Sequence, residues 1–362
     1  MSATNAKSSH RFDWAVVAVA TAAFGWLLDK AGLPASYLFV AMLVGLGYAL
    51  TAPGRVALAP RAFRVGQAVT GTAIGTFMRS STLSGVGTHW LPVAVVSAAT
   101  LAVTLAAGLL LSRIARVDPA TASLGMVAGG ASGIVAMADE LGADDRLVAF
   151  MQYLRVLVIT LLTPLLVPLL FGVHGHGAAG GSGPVLGTAT GWALTVGASA
   201  AGVLIATPLR IPAPTLLGPL LLTAALTLAG ATGHVQVPPL AREAAFALIG
   251  LQIGLGFERD TVRRIGRLVA PALALIGALL LACFALAWLL KLTAHESLLN
   301  AYLATTPGGL PAVLPLAYGS GADTTFVLAV QGLRLFAMVL AAPALVRWLL
   351  GSAGRGRTIT RP

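Results

Sequence analysis

The stretch that decides the fold is TPGGLPAVLPLAYGSGADTTFVLAVQGLRL, residues 306–335, because an earlier part of the same chain resembles it. That earlier stretch is AGGASGIVAMADELGADDRLVAFMQYLRV, residues 128–156, and matched positions lie 179 residues apart. Charged residues and glycines both recur at matched positions, so the similarity does not arise from a shared hydrophobic composition alone. The pairs are Gly129-Gly130 with Gly308-Gly309, Asp144 with Asp323, Gln152 with Gln331, and Arg155 with Arg334. Self-similarity at a fixed offset predicts two copies of one structural unit.

The repeat extends outward over nearly the whole chain. Gly71 matches Gly250 at the same offset, and one residue of slippage aligns Trp14 with Trp192. The sequence therefore predicts two homologous halves joined by a glycine-rich linker. The predicted segments are a cytoplasmic N-terminus at 1–13, repeat 1 at 14–171, the linker at 172–190, repeat 2 at 191–350 and a basic cytoplasmic tail at 351–362.

The composition places the chain in a lipid bilayer. Of its 362 residues 57% are hydrophobic and 10% charged, and the mean hydropathy is +0.89, which leaves too little polar surface for a soluble globule. The apolar stretches lack the period-two alternation of barrel strands. We therefore predict an all-α polytopic membrane protein with about five transmembrane helices per repeat. The predicted spans are 14–28, 36–51, 64–78, 90–112, 147–171, 191–207, 215–231, 241–257, 269–290 and 326–347.

One apolar segment in each repeat is interrupted. Residues 120–138 and 297–318 each contain a Gly-Gly pair, and the second also contains three prolines. Glycine costs about 1 kcal/mol and proline about 3 kcal/mol inside a helix, so a continuous helix is disfavoured. We predict that both segments are broken and re-enter the membrane, which makes the second repeat inverted. Inverted repeats with interrupted segments are a recurring plan of secondary transporters.

The basic residues support this topology. With five crossings per repeat and a cytoplasmic N-terminus, most Lys and Arg residues fall on the cytoplasmic side, as the positive-inside rule requires. The opposite side keeps only four basic residues, which the sequence places in loops. They are Lys30, Arg79, Arg242 and Lys291. We therefore expect a multi-pass protein of the bacterial inner membrane with both termini in the cytoplasm.

The two quoted stretches resemble the signatures of the AbrB-duplication membrane family, and the resemblance covers essentially the full chain. Members carry labels such as AbrB family transcriptional regulator, transport regulator and ammonia monooxygenase. The second signature usually continues PGGL with a small polar residue and Glu-Met, whereas this chain has Pro311-Ala312-Val313 and so lacks that acidic residue. The Gly-Gly segments are also similar to those of two-domain carboxylate transporters, by analogy of fold only.

Two arginines are the strongest candidate site residues. Arg155 and Arg334 lie about eight or nine residues into their spans, near mid-bilayer, where a charge is costly. Each follows a glutamine by three residues, so amide and guanidinium share one helical face. A planar guanidinium suits a carboxylate or another anion. The alternative is that each arginine binds carbonyls of a broken segment or pairs with an aspartate. The predicted substrate-binding residues are Gln152, Arg155, Gln331, Arg334, Gly129, Gly130, Gly308 and Gly309.

Two aspartates complete the candidate site. Asp144 and Asp323 each follow Gly-Ala and precede a long span, where a carboxylate can cap the helix or bind a proton or Na⁺. The six histidines do not cluster and Cys283 is the only cysteine, so we expect no metal, no cofactor and no monooxygenase chemistry. No soluble helix-turn-helix is available for nucleic acid.

These features predict a secondary transporter of a small, anionic, carboxylate-like solute that works by alternating access, and not an enzyme. The alternative is a membrane-embedded sensor or regulator that affects gene expression indirectly. The expected partners are the lipid bilayer and a small solute, and a homodimer is compatible with the sequence.

Overall fold

The computed structural model describes residues 3–52, 56–78, 90–127, 138, 142–172, 185–209, 211, 213–233, 235–257 and 266–335, with side chains from residue 12 onward. Within these ranges the chain forms thirteen helices and no strand, which confirms the all-α fold. The helices are α1 Ala3–Lys30, α2 Ser36–Thr51, α3 Pro60–Gly75, α4 Trp90–Ala115, α5 Pro119–Met126, α6 Asp145–Phe171, α7 Ala189–Ala206, α8 Pro214–Leu228, α9 Pro239–Leu255, α10 Gly266–Ala294, α11 Leu298–Thr305, α12 Leu310–Gly319 and α13 Thr324–Leu335.

Among the described residues, five helices are long and apolar enough to cross a membrane: α1 from Phe12 onward, α4, α6, α7 and α10. Their number confirms a polytopic membrane protein. Four further apolar helices, namely α2, α8, α12 and α13, have only 10–17 residues, below the roughly 20 that span the hydrocarbon core at right angles. The ten-span topology and the side of each terminus stay predictions.

The repeat is visible in the backbone as well as in the sequence. Positive φ angles, which are uncommon for residues other than glycine, recur at matched positions of the two halves with nearly equal values. The pairs are Ala35 (51°) with Ala213 (49°), Arg116 (54°) with His295 (56°), and Gly142 (69°) with Gly321 (67°). The first pair shows the one-residue slippage that the sequence predicts. The two halves therefore repeat the same turns.

The helices form two compact units, and the first contains Met1–Thr88, Ile159–Val262 and Leu310–Ala329. In this unit the repeats are interleaved, because α2 packs on α9 while the equivalent helix α8 packs on α3. Glycines make these contacts close. A Cβ at Gly71 would overlap the carbonyl oxygen of Leu216, and one at Gly250 would overlap that of Leu38. Small residues allow such backbone approach in membrane proteins.

The second unit contains His89–Val158, Arg263–Gly309 and Val330–Pro362. Its two long helices, α4 and α10, pack on each other, and each holds one short helix: α5 lies on α4, and α11 lies on α10. Gly108 of α4 is the close contact in the first case, since a Cβ there would lie 2.6 Å from Ser123 Cα. In the second, the Thr305 hydroxyl donates to the Cys283 carbonyl at 3.1 Å.

The structure corrects the placement of one basic residue. Arg242, counted with the loop charges although it is the second residue of the predicted span 241–257, lies inside α9 and is only 4% exposed. Its Nη2 lies 3.0 Å from Glu243 Oε1, and its Nη1 donates to the Tyr318 hydroxyl at 2.8 Å. The helix begins at Pro239, two residues before the predicted span, because proline is well suited to the first helical turn. Arg242 therefore lies in the first turn of a packed helix.

Candidate functional site

The second broken segment is interrupted where the sequence predicts. Helix α11 ends at Thr305 and α12 begins at Leu310, so residues 306–309 separate them. Gly309 has φ +82°, a left-handed conformation that favours glycine, and a Cβ there would meet no atom of the described chain within 4 Å. The backbone at Gly309 therefore borders open space. In the first repeat α5 ends at Met126, and Gly129 and Gly130 lie outside the described residues.

A glutamine and an arginine of α6 cap the end of α5. Gln152 Nε2 donates to the carbonyls of Leu124 at 2.6 Å and Val127 at 2.8 Å. Arg155 Nη1 donates to the Met126 carbonyl at 3.0 Å, and its Nη2 donates to Gln152 Oε1 at 2.9 Å. The last carbonyls of a helix have no partner within that helix. Side chains from α6 therefore supply the donors that a helix ending at a break lacks.

The same arrangement recurs at the end of α11. Gln331 Nε2 donates to the carbonyls of Leu303 and Thr306, each at 2.9 Å. Arg334 donates from Nη1 to the Thr305 carbonyl at 2.9 Å and from Nη2 to the Thr306 carbonyl at 3.1 Å. Its Nη2 also contacts Gln331 Oε1. The acceptors are the repeat equivalents of those that end α5, so the capping is a property of both halves.

The two guanidiniums make this region strongly positive. Arg155 is 1% exposed and Arg334 3%, and the charge of Arg334 acts on Arg155. In the part of the chain that the structure describes, neither has a carboxylate within ion-pair distance. The negative ends of the helix dipoles of α5 and α11 offset part of this charge. Two buried charges of one sign nevertheless favour the arrival of an anion.

Each predicted Gln–Arg pair does come together, but its main contacts are with protein. The guanidiniums hold carbonyls at the ends of α5 and α11, which is the alternative role that the sequence left open. One guanidinium nitrogen can still donate to a ligand: Arg155 Nε is buried and has no partner among the described residues. Contact between these side chains and a solute stays a prediction.

The two aspartates lie at helix N-termini. Asp144 Oδ1 accepts a hydrogen bond from the Leu147 amide at 3.0 Å, and Asp323 Oδ1 accepts from the amides of Thr325 at 2.9 Å and Phe326 at 3.1 Å. This is the geometry of N-capping carboxylates. A role in ion coupling stays a prediction.

Replacing these caps separates the two roles of the aspartates. We expect Asp144→Ala or Asp323→Ala to lower the free energy of unfolding by about 0.5–2 kcal/mol, because each removes an acceptor for helix amides. Asparagine keeps the acceptor and removes the charge, so Asp144→Asn and Asp323→Asn should melt near the wild type. Thermal melting of the purified protein in detergent measures both. A large loss of transport in the asparagine variants would instead favour ion coupling.

Sequence reasoning offered carbonyls of the broken segments as alternative partners of the arginines but did not say which carbonyls, because every residue type carries one. Those of Leu124, Met126 and Thr305 are examples. The available signal was the shortness of the apolar runs before the Gly-Gly pairs, since a helix of 8 residues such as α5 needs partners for its last carbonyls.

Fold and site together define a polytopic helical membrane protein in which two repeated halves each end a short helix at a break and cap it with a Gln–Arg pair. The family model described as "Transition state regulatory protein AbrB" matches residues 37–350. The chain belongs to this family, the AbrB-duplication membrane family.

Two relatives share nearly the full length of the chain. "Putative regulator AbrB" of Escherichia coli (strain K12) is 34% identical over 318 residues, which cover 88% of this chain and 90% of that protein. "Uncharacterized protein YhjN" of Bacillus subtilis (strain 168) is 27% identical over 349 residues, 91% of each chain.

Proposed function

We propose that this protein is a secondary transporter of a small anionic, carboxylate-like solute, that it works by alternating access in the bacterial inner membrane, and that it catalyses no reaction. The observation that carries the proposal is the pair of buried guanidiniums, Arg155 and Arg334, which have no carboxylate partner in the described ranges. A solute carboxylate would neutralise part of their charge. The free Nε of Arg155 offers it a donor.

The break beside these arginines supports the same proposal. Non-helical backbone at membrane depth is tolerated where protein buries it or where it lines a cavity. Thr306 is fully buried, which meets the first condition. A Cβ at Gly309 would meet no atom of the described chain within 4 Å, which leaves room for a solute cavity at that end. Discontinuous helices of this kind form the substrate sites of many secondary transporters.

Flux measurements test the proposal. We expect purified protein in proteoliposomes to catalyse saturable counterflow of at least one member of a panel of mono- and dicarboxylates. Arg155→Lys keeps the charge but loses the planar fork, so it should raise the half-saturating solute concentration about tenfold or more. Arg113→Lys is the matched control, because Arg113 is exposed near the end of α4. Unchanged affinity in Arg155→Lys would contradict guanidinium binding.

The second candidate function is that of a membrane-embedded sensor or regulator. It is favoured by the name of the Escherichia coli relative, which contains the word regulator. A sensor would bind a carboxylate at the same residues without moving it. A ligand-induced rise in melting temperature without counterflow of that ligand in proteoliposomes would support the sensor and contradict the transporter.

A further inference from the structure

A small cavity in the first unit lies apart from the Gln–Arg pairs. It measures about 10 Å³, close to the minimum that one water molecule needs. Four helices and one turn surround it: the end of α1, the turn that follows it, the start of α2, the first part of α9 and the end of α12. The side chains that matter below are Asp29, Ser36 and Glu243, with Tyr318 and Gly319 on the α12 side.

The hydroxyl of Ser36 points to a ligand in this cavity. Ser36 is 1% exposed, and its Oγ has no hydrogen-bond partner among the described residues. Most buried hydroxyls have a partner, because leaving one unsatisfied costs stability. Other residues near helix starts do find one; Ser297 Oγ, for instance, accepts from the Asn300 amide at 3.1 Å. Ser36 therefore lines the cavity with an unused oxygen.

The charges around the cavity sum to one negative charge. Glu243 is bound by Arg242 at 3.0 Å, so that pair is neutral. The side chain of Asp29 forms no ion pair or hydrogen bond with the described residues, and its charge acts on both Glu243 and Tyr37. Two carboxylates within electrostatic range of each other repel unless a cation or proton lies between them.

We propose that this cavity binds one monovalent cation, Na⁺, through oxygens of Asp29, Glu243 and Ser36. A donor set made only of oxygens suits hard cations. One excess negative charge matches one monovalent ion, and a water-sized cavity excludes the hydrated shell that Mg²⁺ retains. Asp29 and Glu243 also line a larger, mainly apolar cavity of about 640 Å³, which is the approach path in this proposal.

The site is not a by-product of the repeated fold. In the matched register the first-half residue Asp29 corresponds to Thr207, Ser36 corresponds to Pro214, and Glu243 corresponds to Arg64. At these three positions the other half therefore carries neither of the two carboxylates and no serine. A structural role common to both halves would not produce this difference.

The cation site lies at the end of α12, so a bound ion would act on the packing of that helix. Tyr318 and Gly319 are at the end of α12, the helix that begins directly after the break at Gly308-Gly309. A bound cation would stabilise the packing of α12 against α9 through Glu243 and Arg242, whose Nη1 holds the Tyr318 hydroxyl. Coupling of Na⁺ to solute movement rests on the proposed function, whereas cation binding itself does not.

Binding is tested on the purified full-length protein without any solute. Melting temperature is measured in NaCl, KCl and choline chloride at one pH and one ionic strength. We expect a saturable rise in melting temperature with Na⁺ that choline does not give. Asp29→Asn should abolish the rise, and Ser36→Ala, which removes a single oxygen, should raise the half-saturating Na⁺ concentration about tenfold. Lys30→Gln, next to Asp29 but outside the small cavity, should respond like the wild type.

Two other results would contradict the cation site. Equal effects of Na⁺ and choline on the wild type, or an unchanged Na⁺ response in folded Asp29→Asn and Ser36→Ala, would overturn the site. Folding of each variant is checked by its elution volume and its helical circular dichroism. Counterflow with and without a Na⁺ gradient is a separate measurement: Na⁺ binding with no flux of any carboxylate contradicts the proposed function and leaves the cation site intact.

Discussion

Replacing Arg334 by methionine is expected to abolish transport and to lower the free energy of unfolding by about 2–4 kcal/mol. The substitution keeps most of the side-chain volume but removes the donor to the Thr305 carbonyl and to Gln331 Oε1, whereas the Thr306 carbonyl keeps its hydrogen bond from Gln331. Each buried acceptor left without a donor costs about 1–3 kcal/mol, part of which is returned because a buried charge is also removed. Melting in detergent and counterflow in proteoliposomes measure the two effects.

Two further variants make this prediction specific. Arg113→Met removes an exposed arginine and should change neither stability nor transport by much. Arg334→Lys keeps the charge but offers a single ammonium in place of the fork, so its stability should lie between those of the wild type and the methionine variant. If Arg334→Met melted like the wild type, the capping of α11 by this side chain would have no energetic importance.

Gly250→Ala is expected to lower the free energy of unfolding by about 1–3 kcal/mol or more. The added methyl group would overlap the main-chain carbonyl of Leu38, and a backbone atom in a packed helix cannot move aside as the end of a side chain can. The contact joins α2 to α9, so the substitution weakens the packing between the two repeats. Melting temperature and the yield of folded protein are the measurements.

Gly47→Ala in α2 is the matched control for that variant. A Cβ at Gly47 meets no atom within 4 Å, so the substitution should be neutral or slightly stabilising, because alanine loses less chain entropy in a helix. The free energy of unfolding should therefore fall in Gly250→Ala and stay level or rise slightly in Gly47→Ala. A similar loss of stability in both variants would show that helix flexibility, rather than close packing, is what the glycines provide.

The features that could be predicted from sequence are those that residue type decides locally. The break at residues 306–309 follows from Pro307 and Gly308-Gly309, which disfavour a helix wherever they lie. The close helix contacts follow from two GxxxG pairs within apolar runs, Gly71 with Gly75 and Gly250 with Gly254. The repeat itself requires only a comparison of the chain with itself.

Other features depend on partners that the sequence does not reveal. Arg155 and Arg334 were candidates for solute contact, yet both donate hydrogen bonds to main-chain carbonyls. Every residue has such a carbonyl, so the sequence does not show which ones an arginine binds. Arg242 was counted as a loop charge because its partner Tyr318 lies 76 residues away. The cavity at Ser36 likewise needs four separate helices to be in place. Tertiary packing, rather than local propensity, decides each of these.

The interleaving of α2 with α9 and of α8 with α3 constrains how the chain can be made. When the ribosome has completed the first half, the partner of Leu38 has not yet been synthesised, and the groove around Gly71 is exposed to lipid. The first half must therefore wait in the membrane in an unfinished form. A single-copy ancestor would have needed a second molecule to fill the same grooves. In a single chain that encounter is intramolecular, at an effective concentration that the length of the linker sets.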